Sequence, residues 1–216
     1  MKKRNIIIII TVILVIISLI VIGNLNRNET EKDDKVRIVT SFYPMYIMAL
    51  NVTEGIENVE VENMADNQVG CIHDYTLTTS DLKKFENADI FIENGYGIEN
   101  FSEKIINSYP NVKIIEASNS IEDIITEESG EINAHFWTSI DNYILQVRKI
   151  ADRLKELDNA NEAKYEENVS EYMKKLENLK TKYKNQLQNI NGKKVVSLNE
   201  AFSYLFKFVG IEEELI

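Results

Sequence analysis

Residues 36–64 read VRIVTSFYPMYIMALNVTEGIENVEVENM. Val36–Ser41 is a short, mostly apolar run, which is typical of a strand. Met45–Thr53 is apolar and long enough for a helix, and Val59–Met64 alternates between apolar and polar residues as a half-buried strand does. Strand, helix and strand in this order form the unit from which parallel sheets are built.

The same alternation continues towards residue 116. Helices are predicted at Ser80–Asn87 and Ile98–Ser108, and strands at Asp89–Glu93 and Val112–Glu116. The whole pattern predicts the α/β class, with a mainly parallel sheet and flanking helices in an N-terminal lobe.

Two further helices follow this lobe. Asp141–Leu157 is amphipathic, and from Ala160 to about Ile190 apolar residues recur every three or four positions. One long helix is therefore predicted there, a plausible spine between two lobes.

A new strand is predicted at Lys194–Leu198 and a new helix at Ala201–Val209. The predicted organisation is an N-terminal lobe over 36–157, a linking helix over 158–191 and the beginning of a second lobe over 192–216. Because one βα unit cannot form a lobe, this second lobe is expected to be truncated, unless the unit packs on the first sheet.

The N-terminus has the pattern of an export signal. Basic residues 2–4 precede the apolar run 6–22. Residues 1–23 are predicted to be a signal peptide or an N-terminal membrane anchor, and residues 24–35 a polar tether. A bacterial lipoprotein signal places a Cys at the end of the apolar run, where this chain has Asn24. The folded body is expected outside the cytoplasm, associated with a bacterial cell membrane.

Composition excludes several classes of protein. The formal net charge is −11, and the charged residues before Glu29 are all basic, so the body of the chain is more acidic still. Such a body repels phosphates, and no nucleic-acid partner is expected. A single Cys in 216 residues excludes a scaffold held by disulfides.

The two histidines of the chain are the first candidates for chemistry. His73 and His135 both fall in predicted loops that follow strands. Loops at the carboxyl ends of parallel strands form the ligand crevice of an α/β sheet, so the two imidazoles are expected to converge there. Neutral imidazole is a common ligand for zinc and other transition metals. A surface or capping role for each His is the competing interpretation.

Several short motifs occur together in one order. They are Ser41–Pro44 (SFYP), His73–Tyr75 (HDY) with Ser80–Leu82 (SDL), Asn94–Glu99 (NGYGIE), His135–Trp137 (HFW) with Asn142, and Ala201–Tyr204 (AFSY). From about residue 36 to the end, their order and spacing resemble the zinc- and manganese-binding solute-binding proteins of ABC transporters.

The resemblance implies two α/β lobes joined by a rigid helix, with a metal held in the cleft between them. It also implies a protein without catalytic activity that captures a divalent transition metal outside the membrane and passes it to an ABC permease. His73 and His135 match the first two metal ligands of the family. Two imidazoles favour zinc, with the harder manganese as the alternative.

The chain departs from the family pattern at the remaining ligands. The family's third ligand, a His or a Glu, corresponds to Asn199, with Glu200 next to it. Glu200 is the better donor for zinc, although a carboxylate in the first turn of a helix is equally well explained by the helix dipole. The family's fourth ligand, an acidic residue, would lie beyond Ile216.

Cys71 is a further candidate, because its thiolate could replace a missing ligand; the alternative is a small buried hydrophobic residue. Two other functions compete with the metal-receptor hypothesis. One is a degenerate or truncated paralogue that binds metal weakly or not at all and acts as a surface interaction or adhesion protein. The other is an enzyme, either with Cys71 as nucleophile and His73 or His135 as base or as a two-His metal-assisted hydrolase. It lacks support because no Gly-flanked nucleophile, phosphate loop or HExxH motif is present.

Overall fold

The computed structural model describes residues 13, 35–65, 71–127 and 129–216, and the chain divides into the units Met1–Lys35 and Val36–Ile216. In the first unit the described residues are Ile13, which is helical, and Lys35. Apart from these two positions, the predicted signal or anchor and the predicted tether lie outside the described residues. Among the described residues, no helix has the length and apolar character needed to cross a membrane.

The second unit is built on a parallel sheet. Its strands are β1 (Val36–Thr40), β2 (Val59–Asn63), β3 (Ile90–Glu93) and β4 (Lys113–Glu116), in the order β2-β1-β3-β4. The connecting helices are α1 (Tyr43–Val52), α2 (Thr79–Lys84) and α3 (Ser102–Ser108). All three strand pairs are parallel, which confirms the predicted α/β class.

The core of this unit lies between the sheet and its helices. Phe91 and Ile92 of β3 are fully buried, as expected for a central strand covered on both faces. Met45 and Met48 of α1 are also fully buried. The apolar runs that predicted the strands are therefore the residues that form the core.

Two helices pack against this lobe, α4 (Ile140–Leu157) and α5 (Glu162–Gln186). The long helix α5 has 25 residues, or about 37 Å at 1.5 Å per residue. Its buried face carries Tyr165, Val169 and Leu176 at the predicted spacing. Asn168 on α5 donates hydrogen bonds to the Val52 and Glu54 carbonyl oxygens at 2.9 and 2.8 Å. It thereby provides partners for carbonyl groups at the C-terminal end of α1.

The C-terminal residues form a separate two-stranded parallel sheet. It consists of β5 (Lys194–Ser197) and β6 (Glu212–Leu215), joined through α6 (Ser203–Val209). Sequence analysis predicted β5 and α6 but not β6, whose three consecutive glutamates have low strand propensity. Gly210, at a φ of 74°, adopts the left-handed conformation that ends α6 and allows the chain to turn into β6.

Candidate metal site

His135 lies at the start of the segment that leads into α4, just before a 3₁₀ turn over Phe136–Thr138. The residue is 3% exposed. Both its backbone N–H and its ring Nδ1 bond to the Oδ1 of Asn133, at 3.1 and 3.0 Å. Because an amide oxygen can only accept, Nδ1 carries the ring proton. The lone pair of Nε2 is therefore free to bind a metal, and the ring is held in one orientation.

Asn133 is itself fixed from the C-terminal part of the chain. Its Nδ2 donates to the Glu200 carbonyl oxygen at 2.7 Å, which leaves Oδ1 for His135. Its own carbonyl oxygen accepts from the Tyr204 hydroxyl at 2.9 Å. The orientation of His135 thus depends on residues about 70 positions further along the chain.

His73 reaches the same place from another loop. It lies in a 3₁₀ turn over Ile72–Asp74, in which Ile72 is buried and His73 is exposed. Asn100 donates a hydrogen bond to the His73 carbonyl oxygen at 2.6 Å and so positions this turn. The two imidazole ring centres are 5.5 Å apart.

Cys71 completes a group of three possible metal ligands. Its Sγ lies 3.8 Å from the Nε2 of His135. The ligand atoms of Cys71, His73 and His135 all lie within 4.8 Å of one another. Cys71 is exposed, so the interpretation of this residue as a small buried hydrophobic side chain was wrong.

The electrostatic setting favours the metal-binding form of His135. Burial lowers the pKa of its imidazole, the neighbouring His73 lowers the pKa further, and the Glu200 carboxylate opposes both effects. A lowered pKa keeps the ring neutral at neutral pH. Neutral imidazole is the form that binds a metal ion.

A buried amide network supports the segment that carries His135. Asn94, which follows β3, donates to the carbonyl oxygen of Ala134 at 3.0 Å. Its Oδ1 accepts from Ser118 and from Gln146 of α4, at 3.0 and 2.8 Å. The network joins the carboxyl ends of two strands to α4 and fixes the backbone next to His135.

The NGYGIE motif folds around a buried carboxylate. Glu99 accepts hydrogen bonds from the Ser41 hydroxyl and from the backbone N–H groups of Asn94 and Gly95, at 2.8, 2.7 and 3.0 Å. Gly95 and Tyr96 both have positive φ, which gives the tight turn that brings these donors together. The motif therefore positions Asn94.

Aromatic rings close one side of the site. The indole of Trp137 lies 5.3 Å from the His135 ring and 4.8 Å from the Phe42 ring, measured between centroids. Phe42 belongs to the SFYP motif after β1 and is buried. Its packing explains how a motif without metal ligands helps to shape the site.

Of the four ligands named from the sequence, the structure brings His73 and His135 together. The Glu200 carboxylate lies outside the group formed by Cys71 and the two histidines. Asn199 is exposed, and its Oδ1 caps the following 3₁₀ turn by accepting from the Ala201 N–H at 2.8 Å.

Sequence analysis did not identify Asn133 as part of the site. The only signal was an amide side chain two positions before His135. The contact that orients this amide comes from Glu200, which is remote in sequence.

A protein-family model described as "Zinc-uptake complex component A periplasmic" matches residues 38–216. The chain belongs to this family. The match confirms the resemblance drawn from the motifs, and it covers the sheet, the long helix and the C-terminal sheet.

Individual relatives agree with this assignment. The chain is 29% identical over 202 residues to "Iron-binding protein YfeA" of Yersinia pestis, covering 91% of this chain and 63% of that protein. It is 30% identical over 156 residues to "Metal ABC transporter substrate-binding lipoprotein ScbA" of Streptococcus cristatus, covering 67% of this chain and 50% of that protein. The first name describes a metal-binding protein and the second a substrate-binding component of a metal transporter, and neither describes an enzyme. The chain spans less than two thirds of the length of either relative.

The fold is also that of solved relatives. The "Zn(II)-bound ZnuA-like domain of Streptococcus pneumoniae AdcA" superposes with a TM-score of 0.73 at 27% identity, covering 84% of this chain and 67% of that one. The likeness supports the α/β architecture with a long helix that the sequence predicted.

Proposed function

We propose that this protein is an extracytoplasmic solute-binding protein that captures a divalent transition metal for an ABC importer. The observation that carries the proposal is the convergence of His73 and His135 from two separate loops, with ring centres 5.5 Å apart. These are the only histidines in the chain, and both lie in segments that follow strands of the parallel sheet, where α/β proteins bind ligands.

Zinc is the proposed cargo, in preference to manganese. Imidazole is a borderline ligand that suits zinc, whereas manganese favours carboxylate and carbonyl oxygen atoms. The Nε2 of His135 is unprotonated and faces the Cys71 thiol, so the described donors of this cluster are nitrogen and sulfur. Relatives named for iron, manganese and zinc support the class of cargo without selecting one metal.

Of the two C-terminal candidates, we propose Glu200 as the further ligand. The Asn199 side-chain oxygen already accepts a hydrogen bond from Ala201, which reduces its capacity to donate to a metal. Glu200 is linked through its backbone to Asn133 and acts electrostatically on His135.

The N-terminus is proposed to keep the protein at the membrane, where its partner is the ABC permease. The basic residues 2–4 and the apolar run 6–22 support export and membrane association. Some relatives are named lipoproteins, which supports the same location.

Calorimetric titration of the full chain in mild detergent tests the proposed function. We expect saturable one-to-one binding of zinc at sub-micromolar strength and weaker binding of manganese by at least an order of magnitude. Binding of both ions only at millimolar concentration would contradict the proposal and favour a degenerate paralogue. Magnesium serves as a control for non-specific attraction of cations to the acidic surface.

A further inference from the structure

Cys71 carries the only thiol in the chain, and it lies against the proposed metal site. Cys71 immediately precedes the turn that carries His73, and its Sγ faces the Nε2 of His135 at 3.8 Å. Since Nδ1 of His135 carries the ring proton, Nε2 accepts from the thiol, so the two ligand atoms face each other.

The observed spacing fits a tetrahedral zinc centre. Zinc–sulfur and zinc–imidazole bonds of about 2.3 and 2.0–2.1 Å place the two ligand atoms about 3.6 Å apart at a tetrahedral angle. The Sγ to Nε2 distance is already within a few tenths of an ångström of this value. The three ligand atoms lie within 4.8 Å of one another, so the largest separation has to shorten by no more than about 1.5 Å.

The side chains that would have to move are the mobile ones. Cys71 and His73 are both exposed, and rotation about their side-chain bonds meets little packing. His135 is buried and held by Asn133, so it provides the fixed point of the site. Closure therefore requires no rearrangement of the core.

We infer that Cys71 is a metal ligand as well, so that one thiolate joins the two imidazoles and the proposed Glu200 carboxylate in a site that selects thiophilic divalent ions such as zinc and cadmium over manganese. The inference rests on the proposed function and specifies its cargo. On binding, the thiol proton passes to solvent, a sulfur–metal bond forms and one metal-bound water leaves. A thiolate strengthens binding of soft and borderline ions more than binding of hard manganese.

Cobalt(II) provides a direct spectroscopic test, because a thiolate bound to cobalt gives a charge-transfer band in the near ultraviolet that imidazole and carboxylate do not. The full chain, reduced and kept free of oxygen, is expected to show this band on addition of cobalt(II). Cys71→Ser is expected to lose the band while keeping weaker visible absorption from cobalt held by the two histidines. Asp74→Asn is the matched control, because Asp74 is exposed and lies in the turn that carries His73 but outside the ligand group, and it is expected to retain the band.

Affinity and protection measurements separate this inference from the proposed function. Cys71→Ser is expected to weaken zinc binding by an order of magnitude or more and to change manganese binding less. Zinc, but not manganese, is expected to slow alkylation of Cys71 by iodoacetamide in the wild-type chain. If wild type binds zinc and cobalt tightly without a charge-transfer band, and Cys71→Ser binds zinc equally well, the inference is overturned and the receptor function stands. If the wild-type chain binds neither ion, the proposed function itself fails.

Discussion

Replacing His135 with alanine is expected to abolish the rise in melting temperature that zinc gives the full chain. A ligand present at about one hundred times its dissociation constant stabilises the folded state by about 2.7 kcal/mol. For a chain of this size that corresponds to a rise of about 5–10 °C in the wild type. His135 provides the fixed nitrogen ligand, so its removal leaves no pre-oriented imidazole for the ion.

His73→Ala is expected to remove the same rise, and it provides the cleaner measurement. His73 is exposed, so its loss should change the melting temperature of the metal-free chain by little, whereas loss of the buried His135 should lower it. Calorimetric scans with and without zinc give, for each variant, the melting temperature of the metal-free chain and its rise on addition of zinc. An undiminished zinc shift in both variants would refute the assignment of the site.

Stability is expected to fall as the pH rises from 6 to 9, because of a buried carboxyl group at the end of β3. Burial raises the pKa of Glu93 to about 8, and the negative charges of Glu99 and Glu116 contribute to the rise. The Ser102 side chain lowers the pKa but does not offset the burial of this carboxyl group, whose Oε2 has no hydrogen-bond partner among the described residues.

The direction of this pH dependence follows from the protonation of Glu93 in the folded and in the unfolded chain. In the unfolded chain Glu93 loses its proton near its ordinary pKa of 4.5, whereas the folded chain holds the proton until about pH 8. The stabilising effect is therefore complete below the unfolded pKa and is lost as the pH rises through the folded pKa. Between pH 6 and 9 the loss is about 2–3 kcal/mol, or roughly 5–10 °C in melting temperature. Glu99, whose pKa burial raises to about 7, adds to the loss in the same direction.

Glu93→Gln tests this account, because glutamine is neutral at every pH. The variant is expected to show a clearly smaller loss of melting temperature between pH 6 and 9 than the wild type. Glu103→Gln on the exposed face of α3 is the matched control and should follow the wild-type curve. If the melting temperatures of wild type and Glu93→Gln change equally between pH 6 and 9, Glu93 is ionised throughout this range and the account is wrong.

The sheet could be predicted from the sequence because its strands are made of apolar runs that the fold buries. Phe91 and Ile92 fall in the predicted strand Asp89–Glu93, and the structure places both, fully buried, in β3. The start of α3 was predicted less well, since Ile98 appeared helical but the helix begins at Ser102. The residues before it form the turn around Glu99, whose buried hydrogen bonds outweigh local helix propensity.

The candidate metal site could be predicted only in part. The convergence of His73 and His135 follows from topology, because loops after parallel strands meet at one edge of the sheet. The tautomer of His135 could not be predicted, since it depends on Asn133 and on a contact from Glu200. The position of the Cys71 thiol likewise depends on the conformation of one short turn, which no periodic pattern encodes.

X-ray absorption at the zinc edge of the loaded full chain tests the central claim most directly, because it counts the ligand atoms around the ion. The account predicts two imidazole rings with zinc–nitrogen distances of about 2.0–2.1 Å, from His73 and His135. The outer-shell scattering of imidazole distinguishes these rings from water and carboxylate. A first shell made of oxygen atoms alone, without imidazole scattering, would contradict the claim that these two histidines hold the metal.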